Sequence, residues 1–206
     1  MHIPDGFLDA KTWVTTGVLS AGTLAYALRR TRQTLQDRQV PAMGVMAAFI
    51  FAAQMVNFPI VGGTSGHLIG AVLAAVTLGP WSASIIMAVI LILQSLLFQD
   101  GGLTALGANI LNMGVIAVFA GYGVYRLLDR YRAFGLFAAS WVSVMLAAGA
   151  CAVELAVAGT IPLAVVLPAM LFWHAFIGVG EGLITAAVVE ILSRSGVALS
   201  RDTVKA

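Results

Sequence analysis

A histidine stands second in this chain, directly behind Met1, in the opening stretch MHIPDGFL. A terminal amine, the next backbone nitrogen and the Nδ1 of an imidazole at position 2 close a five-membered and then a six-membered chelate ring around one metal ion. Three corners of a square are then filled, and the fourth waits for a ligand from elsewhere in the chain. The backbone nitrogen must lose its proton to bind. That requirement favours metals that reward strong in-plane nitrogen donors, Ni(II) or Cu(II), with Co(II) a further option. Two other histidines exist, His67 and His174. His67 follows the Gly-rich run in VGGTSGHLIG and fits the open corner, whereas His174 lies inside a long apolar run, where an interhelical hydrogen bond is the ordinary role.

The residues around these donors suit holding them. IPDG has Pro4, Asp5 and Gly6 at the second, third and fourth positions of a turn that folds residues 1–3 back on the protein. Asp9 fits the N-cap of the helix that follows. Asp5, Ser65, Gln99, Asn109 and Asn112 are candidates to hydrogen-bond the metal-binding residues, and Asn109 and Asn112 share a helix face at i, i+3. The polar Gln99, Asp100, Asn109 and Asn112 equally suit joining helices to one another. Glu181, seven residues after His174, is an acid in an apolar segment and requires a partner; a structural pairing is predicted. The lone cysteine, Cys151, excludes an intramolecular disulfide and a cysteine-based zinc cluster, and reads as a small buried hydrophobe.

The elements that must position these residues are membrane helices. Of the 206 residues 60% are hydrophobic and 10% charged, far from the quarter charged residues of an average soluble domain. Segments of the length needed to cross a bilayer fall at 12–28, 41–58, 67–78, 81–98, 103–128, 134–158 and 162–192. The third is short, and Gly79-Pro80 separates it from the fourth. The chain is therefore predicted to be an all-α integral membrane protein with seven transmembrane helices. An outer N-terminus leaves ten of the 11 Lys and Arg residues, among them Arg29, Arg126, Arg201 and Lys205, in the cytoplasm with the C-terminus, and only Lys11 outside. Residues 1–206 read as one membrane domain, with 1–8 an outer metal-binding segment and 29–40 a basic cytoplasmic loop.

Ala25-Tyr26-Ala27 has the form of a signal-peptidase site, but residues 1–10 carry Asp5 and Asp9 and no Lys or Arg, the reverse of a signal peptide. Met1 is expected to remain, with a free amine, because a large second residue blocks its removal. Two stripes of small residues, Gly17/Ala21/Ala25 and Gly44/Ala48/Ala52, permit close helix contact, the first expected within the chain and the second toward a partner.

MHIPDGFL at the start, GGTSGH before the third helix and FQDGGLTALGANILNMG at 98–114 resemble the CbiM/NikM family, over essentially the whole chain. These are the substrate-binding (S) membrane subunits of energy-coupling factor (ECF) transporters for nickel and cobalt. The motifs look nearest to the nickel-type members. The resemblance implies the S-component fold with an extra N-terminal helix, Met1 and His2 inserted from outside toward the centre, and His67 completing a planar nitrogen site. It implies a transmembrane coupling (T) component, a pair of ATPases and a small additional membrane subunit as partners, and the cell membrane of a prokaryote as the location. The carried ion is Ni(II), or alternatively Co(II) serving cobalamin biosynthesis.

The remaining chemistry argues by exclusion. No G-x-x-x-x-G-K-[ST] is present, so the chain does not cradle a nucleotide and uphill uptake requires other subunits. The dispersed basic residues make topology signals, not a nucleic-acid patch, and the surrounding partner is membrane lipid. A membrane metalloenzyme would need H-E-x-x-H or an open coordination position, and four nitrogen donors leave none in the plane. No enzyme activity and no catalytic cofactor are expected.

Overall fold

Asp9 accepts the Thr12 N–H at 3.2 Å and caps α1, Ala10–Thr34, as the sequence predicts. In the computed structural model, which describes residues 1–37 and 39–196, α1 turns an inverted face inward. Thr12, Thr16, Ser20 and Thr31 are buried, while Val14, Val18, Leu19 and Leu28 are exposed. That arrangement suits a helix in lipid, where apolar side chains need no shelter and hydroxyls do. Helix α1 also outruns its apolar stretch. Arg29, Arg30 and Arg32 lie on the helix and not in a loop at 29–40, because Arg, Gln and Thr continue a helix where no Gly or Pro stops it. The connection to α2, Gln39–Gln54, is correspondingly brief. Arg38, Arg201 and Lys205 lie outside the described residues.

After α2 the chain forms a two-residue hairpin, Phe58–Pro59 (β1) against Ser65–Gly66 (β2), with Phe58 opposite Gly66. This hairpin delivers His67 to α3, Ala71–Leu78, which has only eight residues and is buried along nearly its whole length. Eight residues span about 12 Å, too little for a bilayer alone, so α3 is a core helix entered through the extended residues 67–70. Gly79 at φ +87 breaks it, and Pro80 opens α4, Pro80–Leu97, at the first turn where its missing N–H does no harm.

The fifth predicted segment is one continuous rod, Leu106–Tyr131. It comprises α5 (Leu106–Asn109), a π-helical stretch (Ile110–Ile116), α6 (Ala117–Leu128) and a 3-10 turn (Asp129–Tyr131). A widened stretch of this length follows directly on Asn109, where side chains meet the N-terminus. Helices α7, Ala133–Val157, and α8, Leu163–Arg194, complete the fold and pack together through Gly178 and Gly182 against Trp141 and Phe137. Trp141 Nε1 donates to Ala175 O at 3.2 Å across that pair.

Four rods, α4, 106–131, α7 and α8, are long and apolar enough to cross a membrane by length and composition, and α2 is a shorter apolar helix. Of the first small-residue stripe only Gly17 packs inside, with its backbone against the space a side chain on Gly107 would need; Ala21 and Ala25 are exposed. Residues 3.6 per turn carry the stripe around the helix and away from its Thr/Ser face. Gly44, Ala48 and Ala52 are exposed together on α2.

Candidate metal centre

Residues 1–3 run inward as a strap and are as buried as the core: Met1 and Ile3 are 0% exposed, His2 4% and His67 2%. Such burial leaves the strap's polar backbone in need of partners. Ser65 supplies them. The Met1 amine donates to Ser65 O and, at 2.9 Å, to Ser65 Oγ, which also accepts the His2 N–H at 3.1 Å. Asn109 then clamps the next residue from both sides, accepting the Ile3 N–H at 2.8 Å and donating Nδ2 to Ile3 O at 3.1 Å. Gly102 N–H adds a bond to Ile3 O at 2.8 Å.

The turn that returns the chain to the surface is pinned by Asp5. Its carboxylate accepts Leu103 N–H at 3.1 Å and, at 2.7 and 2.6 Å, Thr104 N–H and Thr104 Oγ1–H. Asp5 thus touches none of Met1, His2 or His67 by hydrogen bond, and acts on them by fixing the strap's entry. Gln99 is exposed on the turn at φ +55 and makes no hydrogen bond to the donors either. Asn112 turns to α7, donating Nδ2 to Glu154 Oε2 at 2.6 Å, which is helix-to-helix pairing. Of the five polar candidates, Ser65 and Asn109 hold the strap next to its nitrogens.

Two further residues hold His2. Gln94 Oε1 lies 3.1 Å from His2 Nε2, and Asp100 Oδ1 lies 3.2 Å from His2 Nδ1 as an ion-pair approach. The Nδ1 contact is an approach of the ring to a charge and not a hydrogen bond. With Gln94 as acceptor, Nε2 carries the ring proton and Nδ1 presents a lone pair beside a carboxylate. A cation satisfies both. Asp100 is itself fixed by Asn57 Nδ2 at 2.8 Å.

His67 is unambiguous. Its Nδ1 donates to Leu68 O at 2.8 Å, so Nε2 is the bare nitrogen, buried and without a donor. The His2 and His67 rings stack with centroids 4.5 Å apart and planes 18° from parallel. Stacked rings cannot both point a lone pair at one ion in a shared plane. One ion would lie in the plane of both rings only if the His2 ring turned. Glu181 keeps the His67 segment in place, accepting Ile69 N–H at 2.6 Å and Gly70 N–H at 2.9 Å, the structural pairing expected of it.

Burial sets the charge state of the strap. Loss of hydration pulls the Met1 amine from its ordinary 8.0 down to about 5, outweighing the pull of Cys151 and Asp100, and burial lowers the His2 imidazole as well. Between those two values the free amine is protonated and the docked one is not. The undocked state binds more protons there, so docking strengthens as pH rises through that window and weakens as it falls. A neutral amine still donates two hydrogen bonds to Ser65 and keeps its lone pair for a metal.

Gly102 is the tightest point of the clamp. A Cβ there would overlap the Asp5 backbone nitrogen and stand 2.6 Å from the Pro4 carbonyl carbon. Backbone cannot rotate away as a side chain can. Gly102→Ala is expected to expel the strap. Labelling of the terminal amine by an amine-reactive probe, slow in the parent and fast in the variant, checks it.

Among the described residues no three His, Cys, Asp or Glu side chains form a metal cluster. The fold matches a solved structure, the crystal structure of a truncated transition metal transporter. The TM-score is 0.91 and the identity 40%, covering 95% of this chain and 99% of that one. The family model for the cobalt uptake substrate-specific transmembrane region, CbiM, matches residues 2–199. The chain belongs to the CbiM family.

A NikMN-type nickel transport relative of Archaeoglobus fulgidus is 44% identical over 94% of this CbiM-family chain. The fused nickel transport protein NikMN of Rhodobacter capsulatus is 38% identical over 95% of it. The chain spans 65% and 62% of those two proteins. Membership makes it a multi-pass membrane protein of the kind found in prokaryotes, and the resemblance carried by its motifs holds.

Proposed function

We propose that this chain captures Ni(II) outside the cell and presents it for ATP-driven uptake by an ECF-type coupling component and an ATPase pair, with a small membrane subunit as a further partner. The observation that carries this is the buried Met1 amine docked on Ser65, two residues from His67, whose bare Nε2 has no donor. A metal that takes deprotonated amide nitrogen suits that set. The outer N-terminus follows from the distribution of Lys and Arg, and seven crossings follow if α1, α2 and α3 each traverse.

Capture proceeds by exchange, the ion displacing Ser65 Oγ from the strap nitrogens it holds. The ion takes the Met1 lone pair, and the His2 ring turns from Asp100 so that Nδ1 closes the six-membered ring. The His2 amide, whose N–H already points at Ser65 Oγ, gives up its proton. His67 Nε2 fills the last corner. The complex keeps one net positive charge, which the Asp100 carboxylate beside it offsets.

Cobalt is the second reading, favoured by the family's description as a cobalt uptake region. Enzymatic use of the site is disfavoured, since the relatives are transport proteins and four nitrogens occupy the plane.

Calorimetric nickel titration of the chain, with its N-terminus native, tests the reading. One nickel per chain is expected, with release of about one proton, from the amide, because the amine and imidazole are already neutral near pH 7. Affinity then falls about tenfold per pH unit on acidification. Binding without proton release would contradict the chelate.

A further inference from the structure

A second buried imidazole lone pair has no donor. His174, 0% exposed in α8, donates Nδ1 to Met170 O at 2.7 Å, which fixes Nε2 as its bare nitrogen, and among the described residues Nε2 meets nothing that can donate. The bond to Met170 lies within its own helix, so the interhelical role expected from sequence is not what occupies this ring.

Its position is bracketed by two contacts on the same helix face. Met170 Sδ accepts the Thr64 hydroxyl at 3.9 Å, and Glu181 accepts the Ile69 and Gly70 amides. His174 stands one turn after the first and two turns before the second, and so faces the residues between them, which include His67. The Met1 amine and His67 both lie within electrostatic reach of the His174 ring. With the N-terminus outside, α8 runs inward, and His174 is about 6 Å deeper than Met170 by the helical rise. Four nitrogens already complete the capture plane, so this fifth one is spare in the resting complex.

We infer that His174 Nε2 is an inner ligand for the divalent cation, receiving it as it leaves the Met1–His2–His67 plane toward the cytoplasmic side. The step is ligand exchange in which His174 Nε2 offers a neutral lone pair while the His2 amide takes back from water the one proton that capture released, and no electron moves. It rests on the metal-capture reading above.

The test separates the ring's two nitrogens. His174→Asn keeps a donor where Nδ1 stands, for Met170 O, and removes Nε2; His174→Gln keeps a group at the Nε2 position and removes the Nδ1 donor. Two quantities are read: the nickel isotherm of the isolated chain, and accumulation of radioactive nickel by cells producing the chain with its transporter partners. H174N is expected to leave the isotherm within about threefold of the parent and to cut uptake at least about tenfold. A purely structural ring predicts the opposite ranking, with H174N active and H174Q impaired, and that result overturns the inference. So does an isotherm weakened about tenfold in folded H174N, which would place His174 in the resting plane. Nitrogen NMR of 15N-histidine-labelled parent chain needs no substitution: a protonated His174 Nε2 in the metal-free protein refutes the assignment. Failure of the parent to bind or accumulate nickel would instead count against the capture reading itself.

Discussion

A Gly-Pro dipeptide added ahead of Met1 is expected to abolish tight nickel binding. The extension turns the Met1 amine into an amide, and Pro, which has no N–H to lose, keeps the new amine from joining a chelate that runs through to His2. A lone glycine would instead place the imidazole third, where amine, two amides and imidazole complete a square by themselves. It also meets a full site. Met1 is wholly buried, its amine is held by both oxygens of Ser65, and Cys151 Sγ lies 3.9 Å from Met1 O, so the strap has no room to slide inward. The loss combines a missing ligand with an undocked strap and exceeds the roughly 10–100-fold typical of removing an outer hydrogen-bond partner of a metal ligand. Calorimetry on the extended protein, with monodispersity on a sizing column as the fold control, reads it. Full affinity in that protein would remove the terminal amine from the site.

His67→Ala is expected to cost a comparably large share of affinity, again beyond roughly 100-fold, while His174→Ala stays within about tenfold of the parent. The two rings differ in what surrounds them. His67 follows the hairpin directly, stacks on His2 and is steadied by Glu181 through the two amides beyond it, whereas His174 belongs to α8 and its only hydrogen bond among the described residues is to its own helix. Side-by-side nickel titrations of the two variants decide the order, and a greater loss in His174→Ala would reverse the assignment of the fourth nitrogen.

The sequence made the local devices readable because each is a short-range rule. Asp9 as a cap, the turn at Pro4-Asp5-Gly6 and the break at Gly79-Pro80 need only a few neighbours to be inferred, and each stands in the structure. The end of α1 was not readable, because hydropathy stops at the arginines while helix propensity does not. Nor was the π-helical stretch, which depends on how 106–131 packs against α1, α4 and α7.

The site divides in the same way. The chelating order of amine, amide and imidazole is local chemistry, and His67 stood out by its Gly-rich approach. Contacts between distant elements did not. Gln94 approaches His2 across 92 residues, and its signal was a single amide in the apolar run of α4, easily passed over. Asn109 and Asn112 looked equivalent at i, i+3, yet the π-helical stretch that begins between them sends one to the strap and the other to Glu154. Asp5 looked near the donors in sequence and instead secures the turn from outside.

X-ray absorption at the nickel edge of the loaded protein tests the central claim most directly. Amine, deprotonated amide and two imidazoles are strong-field donors that together favour low-spin, diamagnetic Ni(II) in a plane. The predicted spectrum has the pre-edge feature of square-planar nickel and a first shell of four light atoms, with no sulfur from the Met1 thioether. Six light ligands at octahedral distances, or a sulfur in the first shell, would contradict the planar chelate of Met1, His2 and His67.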